Sequence, residues 1–217
     1  SMPLATVLDN LGCGIDITLL SAVPKGSGLG TSSILGATIL AALHRFFGQS
    51  SSQQDLILQV LQLEQMLTTG GGWQDQIGGI VGGVKYIESR PGIMPNPVIH
   101  QLDPHLFQHP DSQGCMTLFY TGITRLAKNI LQDVVHNVNA NTPAYLFTLN
   151  AVRGLASEVR EAIGLRDLVR VARITGLSWE ANRRIHPSAS NNEVDRLLKE
   201  TSSFYTGAKL LGAGGGG

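Results

Sequence analysis

A loop of glycines followed by hydroxyl side chains occupies residues 26–33, with the sequence Gly-Ser-Gly-Leu-Gly-Thr-Ser-Ser. It follows a partly alternating apolar segment, 15–22, that predicts a strand. It precedes an apolar segment, 32–47, whose spacing predicts a buried helix. The first N–H groups of a helix have no partner within the helix, and glycines let the backbone close around an anion. The loop is therefore predicted to bind phosphate, and its hydroxyls could meet a phosphate oxygen or Mg²⁺.

The loop differs from three well-known phosphate-binding patterns. A Walker A loop requires a lysine directly before its final Ser or Thr, and no lysine precedes Thr31 or Ser32. A dinucleotide fingerprint requires glycine at its sixth position, which Thr31 occupies, and the His-Arg-Asp and Asp-Phe-Gly motifs of protein kinases are absent. Taken by itself, the segment is as consistent with a capped helix after a glycine turn as with a phosphate site.

Two carboxylates accompany a second glycine block, at 70–72. Glu64 lies beside core residue Leu63 on a helix predicted over 55–67, and Asp75 follows the glycines. A bend at these glycines could return Asp75 toward the loop that Glu64 approaches. Phosphoryl transfer uses such a pair, because one carboxylate holds the metal and another lies near the attacking hydroxyl. Together with the loop, the pair favours phosphoryl transfer over a purely structural role.

The remaining elements follow from the periodicity of the apolar residues. Short strands are predicted over 84–88, 98–102, 116–120 and 208–211, helices over 126–138, 143–162, 166–184 and 192–206, and a proline-rich loop with a hairpin over 90–114. Mixed strands and helices followed by a helical stretch predict an α+β fold.

Composition excludes several classes of protein. The 217 residues carry 16 Lys+Arg against 16 Asp+Glu, so a broadly basic surface for nucleic acid is excluded. No apolar run reaches the roughly 20 residues of a membrane-spanning helix. Two cysteines exclude a disulfide scaffold, and we expect a reducing, cytoplasmic location.

The motifs resemble those of the GHMP kinases, a superfamily that includes galactokinase, homoserine kinase and mevalonate kinase. Residues 24–33 resemble its second motif, and residues 212–217 resemble the start of its third motif. The branch with L-fucokinase and the D-glycero-D-manno-heptose phosphate kinases is the most similar. The signatures of that branch are Leu-Glu-Gln at 63–65, Thr-Thr-Gly-Gly-Gly-Trp-Gln-Asp-Gln at 68–76 and Tyr-Thr-Gly-Ile-Thr-Arg-Leu-Ala at 120–127.

The resemblance implies a GHMP-kinase-like two-layer α+β fold. Residues 1–90 would form a partial N-terminal domain with the phosphate loop, and residues 91–217 a truncated, helix-rich C-terminal domain. The first motif is missing and the third is cut short, so we expect a fragment of a longer kinase that is weak or inactive by itself. A nucleotidyltransferase domain precedes the kinase in some relatives, and other domains of the parent chain are possible partners.

The implied function is a sugar kinase that uses ATP and Mg²⁺ and transfers the γ-phosphoryl group to a sugar hydroxyl. The acceptor would be the anomeric hydroxyl of L-fucose. A heptose phosphate kinase is the alternative enzyme, and a nucleotide-binding fragment without catalysis is the alternative from another class. No membrane or nucleic-acid partner is implied. A phosphorylated sugar should demand a basic cluster, which the sequence does not contain.

The resemblance also assigns roles to individual residues. Nucleotide phosphates would contact Gly26, Ser27, Gly28, Leu29, Gly30, Thr31, Ser32 and Ser33. Mg²⁺ would bind Ser32 and Glu64, and Asp75 would act as the base or orient the sugar hydroxyl. Substrate contacts would come from Gly72, Trp73, Asp75, Thr124, Arg125, Gly212 and Gly214. A structural salt bridge is an equally good interpretation of Arg125, and packing is the preferred one for Trp73.

Overall fold

The computed structural model describes residues 9, 11–67, 71–90, 92, 96–123, 128–140, 142–212 and 214. The chain divides into two compact units. The first unit comprises Ser1–Lys25 and Gly30–Gly82, and the second comprises Gly26–Leu29 and Gly83–Gly217. The chain therefore changes unit inside the glycine loop. The division at residue 90 that the resemblance implied stays a prediction.

Within its residues 11–67 and 71–82, the first unit contains the helices α1 (Thr31–Phe46), α2 (Gln53–Met66) and α3 (Gln74–Ile80). Helix α1 packs against both of the others, and the buried apolar side chains that join them are Ala37, Ile57, Val60 and Ile77. Helix α2 begins with a capping box in which Ser52 and Asp55 satisfy each other's backbone N–H groups.

The second unit begins with an antiparallel hairpin, in which β1 (Val84–Ser89) pairs with β2 (Pro97–Leu102) and Val84 lies opposite Leu102. Helices follow: α4 (His105–Gln108), α5 (Pro110–Gln113), α6 (Lys128–Asn139), α7 (Pro143–Gly164), α8 (Leu168–Ile185) and α9 (Asn192–Glu200), with 3-10 turns at Pro187–Ala189 and Ser202–Phe204.

Helices α7 and α8 form the core of the second unit. They are joined by a short loop, and their buried residues are Tyr145, Ala162, Ile163, Ile174, Trp179 and Ala181. An ion pair between Arg170 on α8 and Glu161 on α7, 2.6 Å apart, joins the two helices near the loop that connects them. Among the described residues, no helix combines the length and the apolar character needed to cross a membrane.

The structure confirms the predicted long helices and the two strands of the hairpin, but it corrects three predicted strands. The segments 15–22, 116–120 and 208–211 have no regular secondary structure, and Leu20 and Leu118 are exposed. A strand requires a partner for its backbone hydrogen bonds, and no described residue pairs with these segments. The last predicted helix, 192–206, ends at Glu200 and continues only as a 3-10 turn.

Gly207 provides a test of the packing in the second unit. A β-carbon at this position would overlap the carbonyl oxygen of Ala172 on α8 and lie 3.3 Å from the backbone nitrogen of Gly176. We expect Gly207→Ala to lower the free energy of unfolding by about 1–3 kcal/mol, measured by urea denaturation.

Gly154 is the matched control, because it lies within α7 with no atom near the position of a β-carbon. Gly154→Ala should be neutral or stabilise by up to about 1 kcal/mol. Equal stability of the two variants would contradict the close approach of residue 207 to α8.

Candidate functional site

The N-cap of helix α1 is Gly30, which adopts a left-handed conformation with φ of 66°. No described side chain caps this helix, and its first turn contains no acidic residue. Its first N–H groups are therefore available to an anion. A β-carbon on Gly30 would contact the side chain of Asp75 at 3.4 Å, so the start of α1 and Asp75 are neighbours within the first unit.

The carboxylate of Glu64, on α2, accepts hydrogen bonds from the two other helices of this unit. Ser33 Oγ donates to Glu64 Oε1 at 2.6 Å, and Ser32 Oγ lies 3.3 Å from the same oxygen. On the other side, Gln76 Nε2 donates to Glu64 Oε2 at 2.6 Å. These hydrogen bonds join the carboxylate to the first turn of α1 and to α3.

Asp75 is the second carboxylate of the cluster. More than a third of its surface reaches solvent. Partial burial and, to a smaller extent, the negative charge of Glu64 raise the pKa of Asp75 above its ordinary value of 3.8. The two acids are therefore close enough to repel each other. A cation bound between them would reduce this repulsion.

A short helix, rather than the predicted glycine bend alone, positions Asp75. Trp73 is the N-cap of α3, and Asp75 lies in the first turn. Gly72 is exposed and Trp73 is half-buried, while the carbonyl of Gly71 accepts a hydrogen bond of 2.6 Å from Gln65. The glycine at position 70 lies outside the described residues.

The rest of the glycine loop belongs to the second unit. Gly28 has φ of 72°, and a β-carbon there would lie 2.6 Å from the carbonyl oxygen of Leu211. A β-carbon on Gly212 would lie 3.1 Å from the α-carbon of Gly28. Within the second unit, the fold therefore brings Gly28 and Gly212 together. The hydroxyl of Ser27 is buried and has no hydrogen-bond partner among the described residues.

The other predicted site residues are distributed as follows. Gly26 also has a positive φ, Leu29 is exposed, and Thr31 opens α1. Gly214 packs against the carbonyl of Ala189 rather than against the loop. Thr124 and Arg125 lie outside the described residues.

Sequence reasoning missed Gln76 as a functional candidate. Its place in the Trp-Gln-Asp-Gln run was noted, but glutamine is usually a surface residue and no spacing rule marked it. Helix α3 was missed as well, because Gly78 and Gly79 disfavour a helix. One signal could have found both: if the residues from Gln74 onward form a helix, Gln76 and Ile77 lie on its buried side.

The described residues contain no cluster of three or more histidine, cysteine or acidic side chains that could hold a metal by themselves. A divalent cation at the Glu64 cluster would need further oxygen ligands from water or substrate. Mg²⁺ is commonly bound in that way, by one or two carboxylates together with phosphate oxygens.

Comparison with known families identifies the region that contains this cluster. Residues 3–83 match the family described as GHMP kinases N terminal domain. They include the glycine loop and both carboxylates, so the resemblance predicted from the motifs is confirmed.

Three relatives of this chain are informative. It is 41% identical to the L-fucokinase/L-fucose-1-P guanylyltransferase of Bacteroides fragilis, over 97% of this chain and 22% of that protein. It is 36% identical to the bifunctional fucokinase/GDP-fucose pyrophosphorylase of Arabidopsis thaliana, over 94% of this chain and 19% of that protein. It is 29% identical to the D-glycero-alpha-D-manno-heptose 7-phosphate kinase of Campylobacter jejuni, over 91% of this chain and 58% of that protein. The chain thus spans about a fifth of the length of the first two relatives.

A solved structure supports the fold. The L. major mevalonate kinase in complex with R-mevalonate superimposes with a TM-score of 0.64, over 90% of this chain and 56% of that one, at 20% sequence identity. The predicted α+β, GHMP-kinase-like fold is therefore confirmed.

The raised pKa of Asp75 makes a prediction about stability. The folded state holds a proton on Asp75 above pH 3.8, where the unfolded chain has released it, so stability falls as pH rises through this window. Asp75→Asn should therefore raise the melting temperature at pH 7. A rise of about 1–3 °C is expected for a partly solvated charge.

Thermal denaturation at pH 7 and below pH 4 measures the effect. The higher melting temperature of Asp75→Asn should disappear well below pH 3.8, where Asp75 is protonated in both the folded and the unfolded state of the original protein. Exposed Asp16 supplies the control, and Asp16→Asn should leave the melting temperature unchanged at pH 7. A lower melting temperature for Asp75→Asn at pH 7 would contradict the electrostatic description of this site.

Proposed function

We propose that this chain is part of an ATP-dependent sugar kinase that transfers the γ-phosphoryl group to a sugar hydroxyl. The observation that carries the proposal is the cluster of Ser32, Ser33, Glu64 and Asp75 at the uncapped start of α1. It combines an anion-binding helix start, two carboxylates and hydroxyl groups, which are the components that phosphoryl transfer requires. The three relatives described above are all named as kinases of sugars or sugar phosphates.

The residues present fit ATP and Mg²⁺. In the first unit, Ser32 Oγ lies 3.3 Å from Glu64 Oε1, so one hydroxyl and one carboxylate offer the oxygen ligands that Mg²⁺ prefers. In the second unit, the buried hydroxyl of Ser27 has no hydrogen-bond partner in the part of the chain that the structure describes, as expected for a group that meets a ligand. When bound, Mg²⁺ would neutralise negative charge on the phosphates.

The residues of the chain would then have distinct tasks. Backbone N–H groups at the start of α1 would bind phosphate oxygens. Asp75 would accept a hydrogen bond from the sugar hydroxyl and orient it. It would take up the hydroxyl proton as the sugar oxygen bonds to the γ-phosphorus and the bond from that phosphorus to the bridging oxygen breaks, which releases ADP. Orientation is the larger share of this task, because the loose transition state of phosphoryl transfer needs little help from a base.

L-Fucose is the proposed acceptor, through its anomeric hydroxyl. Two relatives named as fucokinases share 41% and 36% of residues with this chain, against 29% for the heptose 7-phosphate kinase. The absence of a basic cluster in the sequence also favours a neutral sugar. A heptose phosphate remains the alternative acceptor.

The relatives are much longer than this chain, so the natural protein is proposed to contain further domains. Residues 1–90 would belong to the N-terminal kinase domain and residues 91–217 to the C-terminal one. A cytoplasmic location is proposed, because both described cysteines are free. A segment that binds nucleotide without catalysis is the second candidate function.

A coupled ADP assay with Mg²⁺ and ATP tests the proposal. The 217-residue chain and the longer protein expected to contain it would each be tested with L-fucose, D-galactose and a heptose phosphate. We expect ADP release with L-fucose from the longer protein and little or none from the chain alone. Release only with the heptose phosphate would favour the alternative acceptor. Nucleotide binding without release from either protein would favour the non-catalytic function.

The role of Asp75 has its own test in the longer protein. Asp75→Asn keeps the size of the side chain but removes the charge and the proton acceptor, so kcat should fall by about 10²–10⁴. The dissociation constant for ADP, measured by calorimetry, should change little. Exposed Asp111→Asn is the control and should keep normal kcat. An unchanged kcat for Asp75→Asn would refute the role of Asp75.

A further inference from the structure

Gln76 is the most deeply buried polar residue of the first unit. Its side chain has no exposed surface. Its amide nitrogen donates to Glu64 Oε2 at 2.6 Å, whereas its Oε1 is buried without a hydrogen-bond partner among the described residues. Burial of an amide costs free energy unless its hydrogen bonds are satisfied, and here one of them is not.

Stability alone therefore does not explain a glutamine at this position. An apolar side chain of similar size would fill the same volume without an unpaired acceptor, as Ile77 beside it does. The one strong interaction of the amide is the short, charge-assisted hydrogen bond to Glu64. We therefore look for the function of Gln76 in its effect on the carboxylate of Glu64.

The carboxylate of Glu64 is held from two sides. Ser33, which is 1% exposed, donates to one oxygen, and Gln76 donates to the other, each at 2.6 Å. The three side chains come from α1, α2 and α3, so each of these helices contributes one group. Two buried donors on opposite oxygens fix the plane of the carboxylate, and so they fix the direction in which it would meet a ligand.

We propose that Gln76 is a positioning residue that fixes Glu64 for coordination of a divalent cation. This inference rests on the proposed function, because it assumes that the Glu64 cluster binds a metal with the nucleotide. Donors in the second layer around a metal commonly change its affinity by 10–100-fold when removed. The neighbouring residue, Asp75, is the group proposed to meet the sugar, so consecutive residues of α3 would serve the metal and the acceptor.

Binding of Mn²⁺ in the presence of ADP, followed by electron paramagnetic resonance, is the direct test in the protein used for the kinase assay. Gln76→Met removes the donor, keeps the volume and eliminates the unpaired acceptor. We expect its Mn²⁺ affinity to fall about tenfold or more, while the melting temperature without ligands changes by no more than about 5 °C. The control is Gln74→Met, an exposed position on the same helix, which should change neither quantity.

A second variant tests the contact with Glu64 without any ligand. Gln76→Glu places a second carboxylate against the first, so the pair must share a proton or repel. As pH falls from 7 to 5, Gln76→Glu should gain more stability than Gln76→Met, because Asp75 is present in both variants and only the first has the added carboxylate. Equal gains in the two variants would overturn the contact between residue 76 and Glu64.

The outcomes separate the inference from the proposed function. Normal Mn²⁺ affinity in Gln76→Met would overturn the inference alone. A loss of affinity that only accompanies general unfolding would overturn it as well, since the role would then be structural. Failure of the unaltered protein to bind Mn²⁺ with ADP would instead overturn the proposed function, and the inference with it.

Discussion

The arrangement of the first unit depends on the hydrogen bonds that the carboxylate of Glu64 accepts. A half-buried anion is tolerated only where donors replace the water it has lost, and here those donors come from α1 and α3. Its requirement for partners therefore brings the three helices into one arrangement. The same arrangement brings Asp75 near the start of α1, so the packing and the candidate chemistry have a common origin.

In the second unit the corresponding constraint is steric. The backbone of Gly28 approaches Leu211 so closely that a β-carbon would lie 2.6 Å from the carbonyl oxygen. Residues far apart in the sequence meet there only because one of them lacks a side chain and accepts a positive φ. The glycine blocks are thus a packing requirement as well as a feature of a ligand site.

Much of this could be predicted from sequence, and the failures have physical causes. Long helices such as α7 carry their own signal, because their apolar residues recur with the helical period. The segments 15–22 and 116–120 show a strand pattern, but pairing depends on partners that local sequence does not specify. Helix α3 contains two glycines and is stabilised by packing, since Gly79 lies directly against Ile34 of α1. Gln76 could not be found because its role depends on a contact across two helices.

The two long helices of the first unit begin in opposite ways. Helix α2 starts with the capping box of Ser52 and Asp55, whereas α1 starts at Gly30 with no side-chain cap. A missing cap costs a helix about 1 kcal/mol. An anion bound at this end would complete α1 by serving as its cap. The stability of α1 would then depend on ligand concentration, so the first unit would be firmest when its site is filled.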